Sequence, residues 1–194
     1  MDDSDRKWAL FWRHWLGVMV RLILSGLLLN GNARATEFDE YTVKAAYLYN
    51  FAKYVEWPPE VFVKTDTPLL ICIVGKNPFD GALEMLAGKM VNSHPVEVRS
   101  VLATANLGRC QVVFIARTEQ SRLNTILKNM DSQPVLTVSD ISNFAEAGGM
   151  IGLIEIEQRI RFDINMAATD RARLKLSSQL LKLARIVLNS SKMN

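Results

Sequence analysis

Leu69-Leu70-Ile71-Cys72-Ile73-Val74 is six consecutive apolar residues, closed by Gly75. The run is too short for a helix of ordinary length and too apolar for a strand with one wet face. It predicts a strand buried on both sides, the kind found in parallel sheets covered by helices. Gln111-Val112-Val113-Phe114-Ile115-Ala116 reads the same way, and Pro134 to Val138 is a further apolar run. Between them lie segments of helical period, so the order is strand and helix in alternation.

Working outward, Glu40 to Tyr54 carries Val43, Ala46, Tyr47, Asn50, Phe51 and Tyr54 at three-and-four spacing, stopped by Trp57-Pro58-Pro59. Pro78-Phe79 opens a predicted helix to about Ala87, Val96 to Val101 alternates as a strand, and Ser121 to Met130 is a helix. Ser139-Asp140 is placed to cap a short helix through Ala145. Met150 to Ile156 and Arg159 to Ile164 flank Glu157-Gln158 as an antiparallel hairpin. A long closing helix from about Ala167 to Leu188 puts Leu176, Leu180, Leu183, Ala184 and Val187 on one face. The expected fold class is α/β: a single three-layer domain, mostly parallel sheet with helices on both faces and an antiparallel C-terminal hairpin.

Residues 1–35 read differently. Leu16 to Leu29 is apolar apart from Arg21, Ser25 and two glycines, and Ala33-Arg34-Ala35 is a small-x-small cleavage pattern. A transmembrane anchor over 8–29 would bury Arg13 and Arg21, each costing roughly 2.5–3.5 kcal/mol near a helix centre. A signal peptide is therefore expected, cleaved near Ala35/Thr36, with a neater start at Met19 than at the acidic Met1. The domain expected to follow spans 36–194 and works outside the cytoplasm.

Of the 194 residues, 49% are apolar and 22% charged, which excludes intrinsic disorder. The net charge is +3, and the portion after residue 35 is close to neutral, without the clustered basic face that nucleic acid requires. Two cysteines and two histidines leave little material for a metal centre, and no metal or cofactor is expected. Cys72 and Cys110, one at each core strand, could form a bridge in an exported chain or pack as two buried thiols; the bridge is the expected reading.

Catalytic motifs fail one by one. Gly75-Lys76-Asn77-Pro78-Phe79-Asp80-Gly81 is not a dinucleotide fingerprint, and Gly81 to Gly88 with Lys89-Met90 is not a phosphate loop. There is no nucleophile elbow, and His94 stands alone in Asn92-Ser93-His94-Pro95. Glu155 and Glu157 sit at strand spacing and could share acid–base work, though a wet strand face is the plainer reading. Gly148-Gly149 serves a tight turn more readily than an anion. The reading is a binding or regulatory protein rather than an enzyme.

Tyr47-Leu48-Tyr49-Asn50-Phe51-Ala52-Lys53-Tyr54-Val55-Glu56-Trp57-Pro58 resembles the opening signature of the YfiR/HmsC-like family of periplasmic proteins. Ile71 to Gly75 with Pro78-Phe79, Val135 to Asp140, Phe144-Ala145 with Gly148 to Ile151, Arg159 to Asn165 and Ser177 to Ala184 continue the likeness in order. The resemblance implies a repressor that binds the periplasmic part of an inner-membrane diguanylate cyclase, lowering cyclic di-GMP and with it biofilm and exopolysaccharide. It also implies a homodimer, an OmpA-like outer-membrane lipoprotein as antagonist in some systems, and a disulfide between Cys72 and Cys110. A second cysteine pair found in some members is missing here, so redox sensing through that pair is not implied.

Two surfaces are candidates for contact. On the hairpin, Arg159, Arg161 and Asp163 alternate outward while Ile160, Phe162 and Ile164 face the core. A solvated face paired with the glutamates opposite is the plainer alternative. Tyr47, Phe51, Tyr54 and Trp57 form an aromatic set that reads as core packing or as a dimer or ligand surface. A periplasmic small-molecule sensor, with ligand where strand carboxyl ends meet helix N-termini, is the alternative function.

Overall fold

The computed structural model describes residues 39–189, apart from 65 and 104. The expected signal peptide and its cleavage point lie outside the described residues. The four principal runs become β2 (Leu69–Val74), β5 (Val112–Ile115), β6 (Leu136–Ser139) and β7 (Ile151–Ile156), all parallel neighbours in the order β7-β6-β5-β2. β4 (His94–Val101) adds in parallel beyond β2, and the short β3 (Met90–Val91) closes that edge antiparallel. At the other edge β8 (Arg159–Asn165) runs antiparallel to β7, and β10 (Ile186–Leu188) pairs parallel to β8. The result is an eight-stranded, mostly parallel sheet with an antiparallel hairpin. β1 (Val55–Glu56) and β9 (Lys175–Leu176) form a separate two-stranded ladder.

The period of two along each central strand builds two cores. Leu69, Ile71 and Ile73 of β2 and Val112 and Phe114 of β5 join one cluster with Ala45, Leu48 and Phe51 of α1 (Glu40–Tyr54). Cys72, Val74, Val113 and Ile115 join the other with Leu123, Ile126 and Met130 of α2 (Leu123–Met130). Helices thus cover both faces, and continuous apolar runs are required because neither face meets water.

α1 begins where Asp39 accepts from the Thr42 amide at 3.2 Å and ends as Val55 turns extended ahead of the two prolines. Its buried face is Lys44, Ala45, Leu48, Phe51 and Ala52, whereas Ala46 and Asn50 of the expected stripe are exposed. Counting Lys44 as polar rotated that expectation by part of a turn.

Several expected elements are different in kind. The helix expected over 78–87 is a series of turns with one 3-10 turn, Glu84–Leu86, because Asp80 and Gly81 both take positive φ. The helix expected from Ser121 starts as a 3-10 stretch over Arg117–Arg122 and becomes α only at Leu123. Ser139 is the last residue of β6 and caps no helix; the segment to Ala145 is turns, broken at Asn143 (φ 57). The long closing helix is four pieces: α3 (Met166–Arg171), β9, α4 (Ser178–Leu183) and β10. Arg173 at φ 57 breaks it first, and Ser177 caps a new start by accepting from the Leu180 amide.

β2 is flanked by β4 on one side and β5 on the other, so the chain reverses direction across the sheet at the carboxyl ends of β2 and β5. Gly75, at φ +95, makes that crossing possible: a Cβ there would lie 2.6 Å from Thr118 Oγ1 and 2.8 Å from Glu119 Cγ.

Candidate functional site

The β7–β8 hairpin is the most exposed ordered element carrying predicted site residues. Its two-residue turn is Glu157-Gln158, both at positive φ (50° and 58°) as a primed hairpin turn requires. The register pairs Ile156 with Arg159, Glu155 with Ile160, Ile154 with Arg161, Leu153 with Phe162 and Gly152 with Asp163. Directly opposed residues share a face. Arg159 and Arg161 therefore stand beside Ile156 and Ile154, while Glu155 points to the other side with Ile160 and Phe162. Glu157 is in the turn, so it and Glu155 do not form a carboxylate pair on one strand face. The arginines consequently lack the glutamate partners expected opposite them; among the described residues neither is in an ion pair.

Asp163 does not share that exposure. It is 2% exposed and held by two hydrogen bonds from Arg185, one at 2.9 Å from Nε. The pairing raises the arginine's basicity above its ordinary value, chiefly through the hydrogen bond to Asp163. β10 brings Arg185 there, its amide bonding the Phe162 carbonyl at 2.9 Å. Reading 167–188 as one helix hid this partner. Asp163 locks β10 to β8, and the outward row it was expected to complete stops at Arg161.

The aromatic set divides. Phe51 is 1% exposed and stacks edge-on against Phe162 (5.0 Å between centroids). Tyr47 is half-buried, 5.7 Å from Phe162, and its hydroxyl donates to the Ile160 carbonyl at 3.1 Å. That carbonyl faces the open edge of β8 beyond the reach of β10, so the tyrosine blunts an otherwise bare strand edge. Tyr54 and Trp57 pack partly buried against the same core, Trp57 edge-on to Phe62.

A second cluster lies where α1 meets the carboxyl ends of β5 and β6. Lys44, 1% exposed, reaches Asp140 at 2.5 Å and also bonds Glu40. Tyr41 donates to Asp140 Oδ2 at 3.0 Å, and Arg117 Nε lies 3.2 Å from the same oxygen. Burial, then the charge of Asp140, pushes the Tyr41 hydroxyl up to about 12. Ser139 sets the loop by donating to the Ile115 carbonyl at 2.6 Å and accepting the Ile141 amide at 3.0 Å. The only sequence signal for this cluster was Lys44 standing one turn from Leu48 and two from Phe51. Beside it, a cavity of about 440 Å³ is lined by Asp39, Tyr41, Thr42, Phe79, Asp80 and Met85, among others.

The remaining groups are structural. Cys72 and Cys110 form a disulfide with Cα atoms 6.0 Å apart, which resolves the two readings of the pair in favour of the bridge. His94 stacks on Phe62 at 3.9 Å, with Nδ1 2.8 Å from the Thr67 carbonyl. Gly149 lies against the Phe144 ring, where a Cβ would come within 2.1 Å.

A family model described as YfiR/HmsC-like matches residues 41–185. Among solved structures, a conserved domain protein from Vibrio cholerae O1 biovar El Tor superposes with a TM-score of 0.54 at 10% identity, covering 76% of this chain and 60% of the other. The ABC domain in complex with L-Trp from Streptococcus pneumoniae superposes with a TM-score of 0.51 at 12% identity, covering 74% and 60%. The chain thus spans about 60% of the length of either structure, and at such identities the likeness is one of fold alone.

Proposed function

Because this chain belongs to the YfiR/HmsC-like family, we propose that it represses an inner-membrane diguanylate cyclase by binding the cyclase's periplasmic part. The family is periplasmic, regulatory and non-catalytic, and acts with the diguanylate cyclase system. In our reading the domain from residue 36 onward is exported, its signal peptide removed near Ala35/Thr36. It has no catalytic activity of its own. Its binding shifts the cyclase between output states by differential affinity for them, lowering cyclic di-GMP and biofilm. Self-association as a homodimer and sequestration by an OmpA-like lipoprotein belong to the same proposal.

The observation that carries this reading is the family match over nearly the whole described domain. Support also comes from the chemistry: Lys44, Asp140, Asp163 and Arg185 are tied into pairs that hold elements together, whereas the exposed hairpin offers charge without partners. Arg159 and Arg161 are the proposed contact residues. Asp163 contributes by fixing β10 behind them. Of the aromatic set, Tyr47 and Phe51 support the hairpin from the core side through Phe162, and the exposed parts of Tyr47, Tyr54 and Trp57 are left to a dimer or ligand surface.

The test is intracellular cyclic di-GMP in a deletion strain complemented with wild type or with the Cys72→Ser/Cys110→Ser pair. A rise on deletion that wild type reverses supports repression. Unchanged cyclic di-GMP with the protein expressed overturns it.

The cavity of about 440 Å³ beside the N-terminus of α1 favours a second reading, a periplasmic small-molecule sensor. A thermal shift of the purified protein by one member of a metabolite panel would favour it, since a ligand that binds only the folded state raises the melting temperature.

A further inference from the structure

The outward face of the β7–β8 hairpin has an unusual make-up. Ile154 is half-buried, Ile156 is 39% exposed, and Arg159 and Arg161 are exposed directly opposite them. An aliphatic row and a cationic row therefore run side by side on one face. The carboxylates nearby are elsewhere: Glu155 projects from the opposite face, Glu157 is in the turn, and Asp163 is occupied by Arg185. Glu146, on the loop bordering this face, acts on Arg185. Among the described residues neither guanidinium is in an ion pair, and both are presented alongside apolar surface.

Resting on the reading of this chain as a protein-binding regulator, we propose that this face receives an acidic, aliphatic segment of the partner protein, two carboxylates of which engage Arg159 and Arg161. The two arginines are alternate residues of one strand and so stand roughly 7 Å apart. Carboxylates at i and i+2 of an extended segment, or at i and i+4 of a helix, match that spacing. Each guanidinium can take a carboxylate bidentately, which fixes orientation as well as attraction. The isoleucines supply the dry floor that makes such pairs strong. The edge of β8 does not add a partner strand, because Tyr47 occupies the Ile160 carbonyl. Recognition is by side chains on the face. An anionic bilayer is the less suitable occupant: membrane capture draws on clusters of about four to eight cations, and this face offers two.

The experiment replaces Arg159→Glu/Arg161→Glu in the full chain and uses the periplasmic domain of the host's membrane diguanylate cyclase as probe. In the deletion strain wild type must first lower cyclic di-GMP; if it does not, the parent reading fails whatever the arginines do. Where wild type represses, the double reversal is expected to leave cyclic di-GMP at the deletion level and to weaken binding to the purified domain by roughly 100-fold. Its melting temperature should stay within about 2 °C of wild type, since both side chains are solvent-exposed. Arg159→Gln/Arg161→Gln gives the same readout without adding negative charge, should the reversal fold poorly. Restoration of binding by reversing two carboxylates on the cyclase domain to lysine supports the proposal. Repression and binding equal to wild type in the double variants overturn it. Loss of binding to phosphatidylglycerol vesicles with binding to the domain unchanged overturns it in favour of a membrane contact.

Discussion

Tyr41 gives the charged cluster at the carboxyl ends of the strands a signature that can be read directly. Its hydroxyl is raised to about 12 by burial and by Asp140, so the neutral form is favoured in the folded state. Above its ordinary value near 10 the unfolded chain ionises first and binds fewer protons than the native one. Stability linked to Tyr41 is therefore complete below about pH 10 and declines through the window up to about 12. A spectrophotometric tyrosine titration should show one hydroxyl ionising last, and Asp140→Asn should bring it down. Lys44 and Asp140 illustrate why sequence conceals such a site. They are 96 residues apart, and a lysine on a helix is ordinarily assigned to the wet face. The same holds for Asp163, whose partner Arg185 sits 22 residues on and reaches it only because β10 is a strand.

At the scale of the element, the hairpin turn carries its own cost. Glu157 and Gln158 hold positive φ, a conformation that Asn-Gly adopts more cheaply. Glu157→Asn/Gln158→Gly should stabilise the protein by about 1 kcal/mol, seen as a rise of roughly 3 °C in melting temperature. Arg159 and Arg161 are unchanged by it, so the proposed repression should persist. The closing segment teaches a different lesson. Leu176, Leu180, Leu183 and Val187 fit a helical stripe, yet Leu183 is 65% exposed and Leu180 is the only residue buried in α4. The branched pair Ile186-Val187 does better beside β8 than on a helix. Only a neighbour with an open edge makes that choice, and no local pattern reveals the neighbour.

Across the whole molecule, what could be read was what depends on burial from both sides. β2, β5 and β6 were legible because strands covered on two faces cannot alternate polar residues. Their parallel order was expected from helical stretches between them, of which α2 between β5 and β6 is a helix and the stretch over 78–87 is not; the hairpin followed from the turn between two alternating runs. The segment over 78–87 was misread because Asp80 takes a left-handed conformation that its residue type does not demand. The disulfide is the remaining global restraint, its two cysteines separated by 38 positions in sequence. Cys72→Ala/Cys110→Ala should lower stability by about 4 kcal/mol in the chain-entropy picture, measured by denaturant titration. Reduction of wild type by dithiothreitol should approach the same midpoint.

The disulfide has one more consequence. A chain with two cysteines has one intramolecular pairing, so a single oxidation step gives the native covalent state and no wrong bridge needs an isomerase to undo it. Cys72 and Cys110 end up 1% and 4% exposed. An oxidant must therefore reach them before β2 and α2 close over the site, and maturation becomes a race between oxidation and folding, decided once per molecule.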